Sequence, residues 1–247
     1  MVRIWNDHEK TCYMNRILSF TALGCATVLL SACGGRSQTD PGEFGAREQA
    51  IVRQSDSVMY VLTVFDPADS VILRTPCADF SEDALRSDDF RALADKMLAT
   101  VQSPQQGGVG IAAPQVGISH RVIVVCRIDK EGEPFEVYPN ARIDSLFGGV
   151  THGPEGCLSI PSYRGLVPRR EGVVVSYRDP ETLACRRDTV QGYTAIIFQH
   201  ECDHLDGVLY TDRADTVFLN PAWAEERAPY AQAGKYDKPG WLEVLLR

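Results

Sequence analysis

Apolar residues recur along this chain in two patterns, and the patterns set most of its elements. Between residues 81 and 101, Phe90, Leu93, Met97 and Val101 stand near a 3.6-residue spacing behind Ser81-Glu82-Asp83-Ala84, which predicts a helix. Residues 193–205 predict another, with Ile196, His200 and His204 on one stripe and Gly207 near its stop. Residues 120–128 and 172–177 and the neighbourhood of Thr189 are rich in valine and read as strands, and Asp179-Pro180-Glu181-Thr182 reads as a hairpin turn. Residues 58–65 form a continuous apolar run ended by Asp66-Pro67, read as a further strand. Strands in runs around a central helix give an α+β class, with no internal repeat.

The two ends carry different patterns. Residues 17–30 are apolar except for mildly polar Ser19, Thr21 and Thr27, and follow Arg16. The run is shorter than the ~20 residues that span a bilayer and suits the core of a signal peptide. It ends in Leu30-Ser31-Ala32-Cys33-Gly34, which resembles the lipobox of bacterial lipoproteins, cut before a cysteine that becomes lipidated. Residues 1–33 are therefore expected to be a signal segment with Met14 as the better start and Cys33 as the lipidation site. That would anchor the chain to a membrane of the cell envelope, facing the periplasm or exterior. The alternative is a buried helix or a mispredicted start, which leaves the protein in the cytoplasm. Polar residues 34–57 read as a tether, 58–213 as the main folded domain, and 214–247 as a tail whose Pro221, Pro229 and Pro239 prevent one long helix. Residues 230–247 yield no functional reading.

Composition narrows the partners. The 247 residues support one well-formed core, and the formal charge is −8. Without residues 1–32, which hold three basic and two acidic residues, it is −9. With no basic patch, no nucleic-acid partner is expected; the sequence leaves the oligomeric state open, with a monomer the default expectation. Of eight cysteines, Cys77, Cys126, Cys185 and Cys202 lie outside both the targeting segment and the chemistry below, and could pair in an oxidising compartment.

The chemistry centres on Gln199-His200-Glu201-Cys202-Asp203-His204. On a helix His200 and His204 share one face a turn apart, with Glu201 beside any metal they hold. A metal would activate a water and the carboxylate would move its proton. Otherwise the spacing is chance on an amphipathic helix. A third ligand could come from several places. The metzincin pattern is half met, with Gly207 in place of its glycine but Tyr210 where its last histidine belongs. Glu225 and Glu226, the thermolysin-like choice, lie in the proline-interrupted tail. Cys157, in Glu155-Gly156-Cys157-Leu158-Ser159, would complete a Cys-His-His set with a fourth position open, although alone it reads first as a small buried hydrophobe. In Gly108-Val109-Gly110-Ile111-Ala112-Ala113-Pro114-Gln115, Gln115 suits donation to a carbonyl oxygen that gains charge during attack, and otherwise is a surface loop residue.

These three segments together resemble the peptide deformylase family, which is marked by G-x-G-x-A-A-P-Q, E-G-C-L-S and Q-H-E-x-D-H-L-x-G in that order. The chain departs at no fixed position, and weaker similarity runs from Leu73 to about Arg213. The resemblance implies an α+β deformylase fold, with antiparallel or mixed sheets around the motif-bearing helix. It implies one divalent metal on Cys157, His200 and His204, Fe(II) first by family and Zn, Ni or Co as alternatives. It makes Glu201 the general acid/base, Gln115 and the Leu158 backbone N–H the oxyanion donors, and Gly108, Val109, Gly110 and Ile111 the substrate-binding stretch. The reaction implied is removal of the N-formyl group from a formyl-methionyl peptide or protein, giving formate. Two other classes remain: a metal-dependent amidase or peptidase on a different amide, and a lipoprotein that binds formyl peptides without turnover. The full set of Gln115, Cys157, Glu201, His200 and His204 argues against binding alone.

Overall fold

A computed structural model describes residues 41–220. The signal segment, Cys33 and the proline-interrupted residues 221–247 lie outside the described residues. Among the described residues four helices come first: α1 (Ala46–Val52), α2 (Pro67–Leu73), α3 (Glu82–Arg86) and α4 (Asp88–Val101). The single helix predicted over 81–101 is thus two. Ser87 adopts extended backbone (φ −70°, ψ 158°), and its hydroxyl accepts from Phe90 N at 3.1 Å, starting α4 afresh. Phe90, Leu93, Met97 and Val101 are buried, as their spacing predicts.

Two expectations for the N-terminal region are corrected. Residues 34–57 are not all tether: α1 lies within them, with Phe44 and Val52 buried. Arg53 grips Asp89 through two 2.8 Å hydrogen bonds, and Lys96 Nζ donates to the carbonyls of Gln54 and Asp56. A short apolar face inside a polar composition was enough to dock a helix. Nor are residues 58–65 a sheet strand. They form no strand, the chain turns at Val64 and Phe65, and N–H groups go to three separate partners: Met59 to Thr100 Oγ1 (2.8 Å), Leu62 to Gln115 O (2.7 Å) and Val64 to Ser159 O (3.1 Å). Asp66 then caps α2, accepting from Ala68 N at 2.9 Å with proline at the first turn.

Two antiparallel sheets follow. The first has the order β1 (Gly110–Ala112), β2 (Val122–Cys126), β3 (Phe135–Pro139). Side chains alternate across it: Ile111, Val122 and Val124 meet the core beneath α4, while Ala112, Ile123 and Val125 face the helix α5 (Tyr193–Leu205). Burial on both faces explains why β2 reads as a valine run. The second sheet has β4 (Arg142–Cys157), β5 (Ile160–Arg178) and β6 (Cys185–Gln191), with β7 (Thr216–Leu219) also on β5. Because β7 pairs Thr216 with Leu166 and Leu219 with Tyr163, the domain runs past the boundary expected at residue 213. The turn predicted at 179–182 joins β5 to β6, with Asp179 Oδ1 accepting from Glu181 N and Thr182 N.

Helix α5 packs against both sheets, burying Ala195, Phe198, Cys202 and Leu205 among Ile123, Val125, Val173, Val175 and Val190. It stops at Gly207, whose φ of +72° is left-handed and where a Cβ would lie 2.5 Å from the Arg74 carbonyl oxygen. Gly207→Ala is accordingly expected to cost about 1–3 kcal/mol from the backbone conformation alone, more with the clash. An unchanged chemical-denaturation midpoint would contradict this end to the helix.

Candidate active site

Helix α5 lies with one face toward the tip of the β4–β5 hairpin. His200 and His204 share that face, ring centroids 5.1 Å apart. Cys157 ends β4, and the two-residue turn Leu158-Ser159 reverses the chain into β5. Cys157 Sγ comes within 3.2 Å of His204 Nε2, and one ligand atom from each of Cys157, His200 and His204 lies within 4.8 Å of the others. A soft sulfur and two imidazole nitrogens, converging with His200 part-buried and the other two buried, are a donor set that fits one divalent transition metal.

The set is oriented by a chain of ion pairs, buried from Glu155 to Asp203 and ending on the half-exposed Arg213. Glu155 Oε2 lies 2.8 Å from His200 Nδ1, which leaves Nε2 of that ring for the cluster. Arg169 holds the same carboxylate from the other side, Nε to Oε1 at 2.7 Å and Nη2 to Oε2 at 3.0 Å. Arg169 Nη1 continues to Asp203 Oδ2 at 2.6 Å, and Asp203 accepts twice from Arg213, both at 2.7 Å. Burial alone would raise Glu155, but His200 and Arg169 outweigh it and bring its pKa down to about 2, so the carboxylate is ionised. Burial likewise opposes protonation of His200, but its hydrogen bonds to Cys157 and Glu155 raise it well above the ordinary imidazole value. His204 moves well below that value, through burial and the neighbouring His200. In the sequence Glu155 and Asp203 stand in the motifs without an evident role, and Arg169 and Arg213 carry no local signal. The signal was the acidic residue two before Cys157, since a ligand histidine needs a partner for its second nitrogen.

Glu201, 4% exposed, is pushed up to about 7 by burial, with Oε2 unbonded among the described residues. Gly110 faces it so closely that a Cβ there would sit 2.5 Å from Glu201 Oε1. Gln115, on the 3₁₀ turn Ala113–Val116, is 2% exposed and not a surface residue. Its Oε1 accepts from Ala112 N at 2.8 Å, which turns Nε2 toward Ser159 Oγ (3.2 Å) and Cys157 Sγ (3.5 Å). A cleft of about 220 Å³ opens on Gln115, Cys157, His200 and Glu201. Gly108, Val109, Gly110 and Leu158 line it, as do Tyr193, Ile196, Ile197 and Arg164. Ile111 does not join them: strand alternation turns it into the core under α4, fully buried. Cys202 packs in the core between the histidines' turns. Cys77, Cys126 and Cys202 keep free thiols, those of Cys77 and Cys202 pushed up to about 12 by burial.

Residues 59–219 match the family model described as polypeptide deformylase. The peptide deformylase of Leptospira biflexa is 36% identical over 170 residues, covering 66% of this chain and 91% of that one. Peptide deformylase 2 of a Nostoc species is 42% identical over 143 residues, covering 56% and 78%. Among solved structures, the Met-Ala-Ser-bound class I type b peptide deformylase of Acinetobacter baumannii aligns at 38% identity with a TM-score of 0.56, covering 63% of this chain and 98% of its own. The Synechococcus elongatus peptide deformylase in complex with actinonin aligns at 33% with a TM-score of 0.57, covering 72% and 90%. Those relatives share the α+β architecture whose hairpin tip and helix here bring a cysteine, two histidines, a glutamate and a glutamine to one cleft, and the chain belongs to the polypeptide deformylase family of enzymes.

Proposed function

We propose that the chain hydrolyses the N-formyl group of formyl-methionyl peptides or proteins, releasing formate and a free amino terminus. The observation that carries this reading is the convergence of Cys157, His200 and His204 beside the buried Glu201 carboxylate and the Gln115 amide. The three ligands would hold one divalent ion, Fe(II), Zn, Ni or Co, which when bound supplies a Lewis acid and water activation near neutral pH. Glu201 takes the proton of the attacking water and hands it to the departing amine, which must be protonated to leave. Its elevated pKa suits a group that both accepts and donates a proton at neutral pH. Gln115 Nε2 and the Leu158 N–H donate to the carbonyl oxygen as charge builds on it. Gly108, Val109 and Gly110 form one wall for the peptide, and Ile196 and Ile197 offer apolar surface to its first side chain. Tripeptide and actinonin complexes of relatives support a peptide-shaped occupant.

We also propose an extracytoplasmic, membrane-anchored setting, supported by the lipobox-like Leu30-Ser31-Ala32-Cys33-Gly34 behind its apolar run. The substrates there would be formylated peptides, or exported chains that kept their formyl group.

Glu201→Ala, loaded with Fe(II) or Ni(II), is expected to lose about 100- to 10,000-fold in formate release from formyl-Met-Ala-Ser while staying folded. Turnover at the wild-type level, or hydrolysis of acetylated peptides only, would redirect the assignment to another amide. Gln115→Ala should be folded, metal-loaded and about 100- to 1,000-fold slower; full activity would remove its role. For the location, a tagged chain should fractionate with the envelope and Cys33→Ser should not be lipidated. Recovery of the unprocessed wild-type chain in the cytosol alone would refute the anchor.

A further inference from the structure

The family pattern occupies residues 59–219, so family membership leaves α1 and its flanking residues without a role. Their contacts converge on the turn that carries Gln115. The buried Glu48 carboxylate serves three groups: Oε2 accepts from Gly45 N at 2.9 Å, Oε1 from Ser119 N at 2.7 Å, and His120 Nε2 stands 3.4 Å from Oε2. His120 is pinned in turn, stacked on Phe80 with centroids 4.1 Å apart and planes 10° from parallel. Gly117, at φ +84°, closes the 3₁₀ turn of Gln115, and Ile51 Cδ1 occupies the space 3.1 Å from where its Cβ would be. Leu62 Cδ1 lies 3.9 Å from the same point, and Leu62 donates its N–H to the Gln115 carbonyl at 2.7 Å. The backbone of Gln115 is thus held from in front by Leu62, and the residues after it are held from behind by α1.

We propose that Glu48 is a positioning residue for the deformylase reaction: by fixing Ser119 and His120 it sets the turn that carries Gln115, and so the aim of the Gln115 amide into the cleft. This rests on the role assigned to Gln115 above. A charged acceptor binds an N–H more strongly than a neutral one, and removing it takes from the part-buried Ser119 N–H its acceptor. The turn then has reason to relax, and misplacement of a donor by about 1 Å can cost up to about 100-fold in rate. Because Gln115 Oε1 is tied to Ala112 N within the same turn, its amide moves with the backbone.

The test uses the full chain loaded with Ni(II), measuring formate release from formyl-Met-Ala-Ser with kcat and KM separated and thermal unfolding alongside. Glu48→Ala is expected to lower kcat about tenfold with KM unchanged. Glu48→Gln, which keeps an acceptor for Ser119 N, should recover most of that loss. In the Gln115→Ala background, Glu48→Ala should cause no further fall, because the group it aims is gone. Ile51→Ala should give a smaller fall of the same kind, and carries the comparison should Glu48→Ala not fold. Unchanged kcat with a lowered melting temperature would make Glu48 a clip for α1 and overturn the proposal. Losses that multiply with Gln115→Ala would overturn it as well. Wild-type turnover in Gln115→Ala alone would overturn both this inference and the Gln115 assignment, an outcome distinct from failure of Glu48 by itself.

Discussion

Glu155 accepts from Arg169 on one side and faces His200 on the other while almost wholly removed from water. An isolated carboxylate in that position would be neutralised or expelled, because desolvating a charge is not repaid by packing. Its two partners come from β5 and α5, so keeping the charge obliges strand and helix to meet at one spacing. Asp203 extends the obligation to Arg213, next to β7. Removing a buried member, Glu155 or Arg169, costs about 3–5 kcal/mol, since its partner is left charged and unpaired. The cysteine at the hairpin tip and the histidines on the helix are therefore held in register by electrostatics as well as by the apolar core behind them.

How far the sequence speaks for the structure depends on whether a feature is local. Helix α5 runs over the residues its pattern predicts, because the apolar stripe and the two-histidine spacing both arise within one helix. Strand β2 is equally plain, since burial on both faces demands an unbroken apolar run. Residues 58–65 mislead for the same reason: a continuous apolar run is what a central strand and a buried irregular segment both need, and only partners distant in sequence separate them. Ser87 hides a break because a serine inside a helical period is legible as either interior or cap. Ile111 fails as a cleft residue because neighbours in a motif alternate between faces of a strand. The Glu155–Arg169–Asp203 chain joins residues 14 and 34 apart, a pairing that no local period encodes.

Gly110 illustrates how a motif glycine can be chosen by what stands opposite. The space a Cβ would need is filled by the Glu201 carboxylate, from a helix nearly a hundred positions away in the chain. The close approach strips water from Glu201, and lost hydration is the largest influence lifting its pKa. A backbone requirement on β1 and a chemical property on α5 are therefore one fact seen from two elements.

Helix α5 lies between two sheets, with most of its residues buried. Helices in that setting open only when the domain as a whole opens, whereas surface helices fray on their own. The His200 and His204 backbone amides should then belong to the slowest-exchanging set in the domain. An ion held by those histidines cannot escape through local melting of its own scaffold; its exit is the cleft mouth or the unfolded state, and retention of the ion becomes a property of the whole fold.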